Sequence, residues 1–226
     1  NILIIYLIII STIQYINNLF EEIPETHIFI TPGNHDPYIK NSYYNQFNWS
    51  KNVHIFNSVI KSVEFPEVDI YGYGFDDFYC TNSGMEKLEI KDKNKLNICV
   101  IHGTLNGASI EEKQYNSMSK KMLEEKGFDY IALGHIHKTS YKDEKNQRIV
   151  YPGSTVSLGF DELGEHGMIV GEISKEQINL DFITLDEMQF VEKTIDISEV
   201  LSKEELIEKI NSQNFSEKEL VKIILT

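Results

Sequence analysis

His27-Ile28-Phe29-Ile30-Thr31-Pro32-Gly33-Asn34-His35-Asp36 is the stretch on which the reading of this chain turns. A short apolar run ends in a Pro-Gly turn, and the turn presents an amide, an imidazole and a carboxylate in succession. The run reads as a buried strand, because four apolar or aromatic positions precede a breaker pair. Working outward, Ile13, Ile16, Leu19, Phe20 and Ile23 recur at helical spacing before it. Ser11 or Thr12 is available as N-cap and Pro24 closes the segment, so a helix is expected over 11–22. Helix followed by buried strand is half of a parallel βαβ unit, and in open α/β sheets ligands gather where strands end at their carboxyl edge.

The same design recurs twice. The apolar run 97–101 ends in His102-Gly103, and 128–133 ends in Gly134-His135-Ile136-His137. Between and after these lie expected strands over 53–56, 58–64 and 68–72, a helix over 109–127 with Ser109 and Glu112 at capping-box spacing, and further strands over 148–151, 168–173, 178–185 and 190–197. The short charged turns joining that last run favour an antiparallel arrangement. Taken singly, each motif has a plain alternative. A histidine after a strand is more often a hydrogen-bonded structural residue than a ligand, and His27, His54 and His166 are read that way. A glycine beside a turn usually means that the backbone needs positive φ. Together, imidazole nitrogens and an amide oxygen on three turns of one sheet edge are the donor set of a Zn, Mn or Fe site.

In this order, Gly33-Asn34-His35-Asp36, His102 and Gly134-His135-x-His137 resemble the calcineurin-like metallophosphoesterases. Tyr151-Pro152-Gly153-Ser154, followed by Leu158 to Gly167, makes the chain most similar to the DNA-repair exonuclease branch of that superfamily, the SbcD, Mre11 and YhaO-like nucleases. The resemblance implies an α/β fold, a β-sandwich flanked by helices. It implies Asn34, His102 and His135 as ligands of one metal and His137 as a ligand of a second. His35 would protonate the leaving oxygen and Asp36 would orient it. The implied chemistry is in-line displacement at phosphorus by a two-metal centre, with Mn expected and Zn or Fe as alternatives.

Two motifs of that family precede the first one matched here, an Asp-x-His and a Gly-Asp element that supply the bridging carboxylate. Neither occurs, since no Asp precedes Asp36 and His27 is the only upstream histidine. The site is therefore expected to hold half of its ligands, and the chain by itself to be inactive. The same departure leads to the expectation of a chain truncated at both ends: a metallophosphoesterase domain over 1–190 lacking its first strands, and the beginning of a small α+β capping domain over 191–226. Ile98 to Ile101 and Phe29 to Ile30 would then expose apolar faces. The first residues, Asn1 to Ile10, are nearly all apolar but too few to span a bilayer, which needs about 20. In the tail, Ser202 to Glu205 is a second capping box, and the run 220–225 is expected to be a strand without a partner.

Composition sets outer limits. The chain has 226 residues, 41% hydrophobic and 25% charged, with 21 basic against 35 acidic side chains and a net charge of -14. That excludes a disordered chain. Two cysteines, Cys80 and Cys99, exclude a disulfide-stapled scaffold and suit a cytoplasmic protein. A single arginine, Arg148, argues against indiscriminate nucleic-acid binding. Lys138, Lys142 and Lys145 near the last histidine motif could touch phosphates or belong to a solvated hairpin. The partners implied by the resemblance are DNA, a coiled-coil ATPase and a second copy of the chain. A small-molecule phosphodiesterase or phosphatase, and a non-catalytic remnant, are the competing readings.

Overall fold

The computed structural model describes residues 2–105, 113 and 115–226, and the chain divides into two compact units. The first comprises 1–135 and 173–177, the second 136–172 and 178–226.

In the first unit, helix α1 (Ile2–Glu21) runs straight through the position expected for its start. Ser11 and Thr12 sit inside the helix and do not cap it, so the apolar run and the periodic segment form one element. Among the described residues, no helix is long and apolar enough to cross a membrane. The carboxyl end of α1 is closed by a side chain far away in sequence. The buried amide of Asn52 donates to the carbonyls of Phe20, Ile23 and Thr26 at 2.9–3.1 Å. The Phe20 carbonyl is one of those that a helix end leaves open, and Ile23 and Thr26 belong to the turn that follows.

Strand β1 (Ile28–Ile30) pairs in parallel with β2 (Val53–Ile55), with the short helix α2 (Tyr43–Gln46) in the connection. A separate sheet has the order β3-β4-β5-β6: β3 (Ser62–Glu64) antiparallel to β4 (Val68–Tyr73), then β5 (Leu96–His102) and β6 (Tyr130–Gly134) parallel to it. Helix α3 (Lys120–Lys126) precedes β6, with Ser119 accepting from the Met122 amide and Gly127 at φ 75° ending it. It is shorter than the helix expected over 109–127, and Ser109 and Glu112 lie outside the described residues. The core sits on one face of this sheet. On β5, Asn97, Cys99 and Ile101 are buried while Leu96, Ile98 and Val100 are half-buried. The period-2 pattern is that of a strand with one sealed face. The other face is partly covered from the β1–β2 side, where Phe56 fills the space that a Cβ on Gly72 would need.

In the second unit, β7 (Ile149–Val150) is followed by β8 (Gly167–Ile173) and β9 (Ile178–Thr184), which form a two-stranded sheet. Gly167 and Gly171 lie against the Ile183 and Asn179 carbonyls, an offset that runs antiparallel as expected. The antiparallel expectation fails at the next strand. β10 (Gln189–Ile195) pairs in parallel with β11 (Glu219–Leu225) across helix α4 (Lys203–Asn211), seven residues in unbroken register. The last strand thus has a partner, contrary to the sequence expectation. The reason is that a crossover helix lies between the two, and short-range turn signals cannot reveal it. Ser202 caps α4 by accepting from the Glu205 amide, and the Glu205 carboxylate reaches back to the Leu201 amide.

Candidate functional site

β1, β5 and β6 end on the same side, and each delivers a polar ring or amide. The turn after β1 is held open by its own carboxylate. Asp36 Oδ1 accepts from the Gly33 amide at 3.0 Å and Oδ2 accepts from the Tyr44 hydroxyl at 2.5 Å. Both oxygens are thus engaged by the turn and by α2, a different task from orienting His35. Burial, and then the hydrogen bond to Asp36, keep the Tyr44 phenol well above its ordinary range, so it remains a donor. His35 and Asp36 are exposed, while Asn34 is buried.

Asn34 Oδ1 stands 2.9 Å from His102 Nε2. The His102 ring is edge-on to Phe75, with centroids 5.4 Å apart, and to His135, at 5.1 Å. Two glycines make room for it. A Cβ on Gly33 would stand 2.7 Å from His102 Cε1, and one on Gly134 would stand 3.0 Å from Nδ1. This corrects the expectation that these glycines serve positive φ: neither is among the glycines with positive φ, and both are small because the imidazole lies between them. The left-handed residue is His135 itself, at φ 107°. That conformation costs a non-glycine residue about 1–3 kcal/mol and persists only where surroundings enforce it. Tyr115 packs beside the His135 ring at 5.2 Å.

Asn116 was not picked out from sequence. It is fully buried at φ 55°; its Nδ2 donates to the His102 carbonyl at 2.7 Å and its Oδ1 accepts from the Gly84 amide at 2.6 Å. It fixes the backbone that aims His102. No spacing rule marks such a residue, because its partners lie 14 and 32 positions away.

His137 lies in the second unit, where its Nδ1 is bonded to the Glu162 carboxylate. That hydrogen bond, and then the bond from the Leu158 amide, hold the Glu162 carboxyl below its ordinary range. The other histidines behave as structural residues. His166 is buried, with Nε2 at 3.1 Å from the Glu162 carbonyl and Nδ1 at 2.7 Å from the Ser154 hydroxyl. A carbonyl only accepts, so Nε2 carries the proton and Nδ1 accepts from Ser154. His27 and His54 share a hydrogen bond of 3.0 Å between ring nitrogens.

The donor chemistry can be tested against a metal ion. Two ligands at about 2.0–2.2 Å from one dication and at right angles stand about 3 Å apart, which is the Asn34–His102 separation. Asn34 and His102 are thus spaced as two ligands of one cation could be, with the His135 ring beside them. Among the described residues no group of three His, Cys, Asp or Glu side chains is placed to hold a metal. Beside His35, a mostly apolar cavity of about 590 Å³ is lined by Ile13, Ile16, Phe20, Tyr44, Trp49 and Phe78.

Comparison with known proteins shows the family. The family model of the calcineurin-like phosphoesterases matches residues 10–139. The chain belongs to that family, whose members hydrolyse phosphoesters with divalent metals. It is similar to the uncharacterized metallophosphoesterase YhaO of Bacillus subtilis (strain 168), 24% identical over 204 residues, covering 87% of this chain and 49% of that protein. A second match is the uncharacterized protein R555 of Acanthamoeba polyphaga mimivirus, 34% identical over 84 residues, 36% of this chain and 6% of that protein. The chain thus spans about half the length of the first relative and a small part of the second.

Proposed function

We propose that this chain contributes one half of the metal-dependent phosphodiesterase centre of a DNA exonuclease or endonuclease of the SbcD/Mre11 type. The observation that carries the reading is the gathering of Asn34 and His102, 2.9 Å apart, with His135 at the carboxyl ends of three strands. A dication, Mn in this reading, would supply Lewis acidity when bound. Asn34, His102 and His135 would hold it. His35, exposed beside them, donates a proton to the leaving oxygen, and Asp36 keeps the turn in shape through Gly33 and Tyr44. The second metal needs carboxylates that the described residues do not bring to the site, so in this reading the 226-residue polypeptide by itself turns over little or no substrate. In the cell the complete protein would act in the cytoplasm with a coiled-coil ATPase partner, as a homodimer.

The net charge of -14 favours a second reading, a small phosphodiester or phosphomonoester as substrate in place of a polyanion. A third is a non-catalytic remnant. Single-stranded DNA and a chromogenic phosphodiester, offered in Mn to the chain extended by a segment carrying Asp-x-His and Gly-Asp, separate the first two: DNA cleavage is expected. Turnover by the unextended chain in Mn that His35→Ala abolishes would overturn the half-centre. Metal analysis separates the third: zero equivalents of dication per chain would favour the remnant.

A further inference from the structure

The stretch from Tyr151 to Gly167 drew notice as sequence, yet none of its residues has a part in the chemistry above. Its hydrogen bonds converge on one side chain. Glu162 places Oε1 on His137 Nδ1 and accepts at Oε2 from the Leu158 amide at 3.1 Å. Its main-chain carbonyl is held twice, by the Ser157 hydroxyl at 2.6 Å and by His166 Nε2 at 3.1 Å. Asp186 clamps the loop at both ends, accepting from the Ser157 amide at 3.1 Å and the His166 amide at 3.0 Å. On the far side, Gly153 at φ 85° lies where a Cβ would stand 2.7 Å from the His137 carbonyl, and the Ser154 amide donates to that carbonyl at 2.9 Å.

So the loop grips His137 by its ring and by its backbone. The Glu162 side chain is 13% exposed and that of His137 is 56% exposed. The carboxylate is the fixed partner and the imidazole is the group presented outward.

We propose that Glu162 is the positioning residue of His137, holding the ring as its Nδ1–H tautomer so that the Nε2 lone pair faces outward as a donor. A carboxylate only accepts, so the shared proton belongs to Nδ1, and the opposite nitrogen is left free for a cation. Partners of this kind set the tautomer and basicity of ligating histidines. The loop's bracing of the Glu162 main chain gives Tyr151 to Gly167 a physical purpose. The inference rests on the phosphoesterase reading only for what His137 finally binds; the tautomer is a property of this chain alone.

The test is long-range nitrogen-proton NMR on the full chain labelled at histidine, at mildly alkaline pH. Wild type is expected to show His137 mainly as the Nδ1–H form, with His166 in the opposite, Nε2–H form as an internal report on folding. Glu162→Gln, whose amide oxygen still accepts, should keep the His137 pattern. Glu162→Ala should turn the Nε2–H form from the minor to the major species while His166 is unchanged. An alanine variant with the wild-type His137 pattern, or a wild type already in the Nε2–H form, overturns the proposal. If Glu162→Ala loses the His166 signature through unfolding, the wild-type and glutamine spectra still decide. A wild type with the Nδ1–H form that binds no Mn supports the positioning and contradicts the phosphoesterase reading.

Discussion

Two of the chain's parallel crossovers have the same topology and opposite burial. β5 and β6, with α3 before β6, bury Cys99, Ile101, Leu123, Ile131 and Leu133 to 2% exposure or less. β10 and β11, with α4 between them, bury only Ile195 among their residues, and α4 has no buried residue. In the second crossover, ion pairs take the place of packing: Lys193 with Glu219 at 3.1 Å and Lys222 with Glu192 at 2.7 Å. Parallel pairing therefore does not by itself make a core. The difference bears on the proposed site, because His102 ends β5 and His135 follows β6. A side chain can be aimed to within tenths of an ångström only from a backbone whose packing has no slack.

The largest effect should come from emptying the buried crossover. Ile101→Ala or Leu133→Ala should cost about 2–5 kcal/mol in denaturant unfolding, whereas Leu220→Ala, at a side chain 41% exposed, should cost less than about 1 kcal/mol. Equal losses would dissolve the contrast. Next comes the site that the buried crossover carries. His102→Ala removes a donor and should weaken Mn binding, read by titration calorimetry, by more than the about 10–100-fold typical of losing an outer partner. Asn52→Ala should follow at about 1–3 kcal/mol, since one helix-end carbonyl and two in the turn after it lose a buried donor. The caps sharpen the comparison further. Ser119→Ala and Ser202→Ala should each cost about 1 kcal/mol, but hydrogen exchange should register the first across β5 and β6 and the second in α4 alone.

The smallest effect concerns pH. Burial, and then the neighbouring His27, lower the pKa of His54 from its ordinary 6.5. The unfolded chain then binds the proton more readily than the folded one. The contribution is complete above about 6.5 and fades as pH falls through the lower folded value. His54→Phe should flatten stability over that interval, and an unchanged slope would contradict it.

Much of this was legible in the chain itself. The strand-turn-histidine triplet and the Ser202 cap follow from local spacing, because apolar period and breaker residues act over a few positions, and the motifs on those turns carry the resemblance to the family. What was not legible depends on partners distant in sequence. The glycines at 33 and 134 were read as turn residues, and only the folded chain shows the His102 ring lying between them. Asp36 was read as the orienter of His35, and the structure engages both of its oxygens elsewhere. The parallel pairing of β11, the grip of Asn116 on His102 and that of Glu162 on His137 likewise join residues 14 to 30 positions apart.

The sequence by itself determined which chemical groups are present and which are missing: imidazoles and an amide after apolar strands, and no aspartate before Asp36. The tertiary structure alone decided which of those groups stand side by side, as Asn34, His102 and His135 do. The physical reason is that ligand identity is a property of single residues. Ligand direction is a property of packing and hydrogen bonds between elements that meet only on folding.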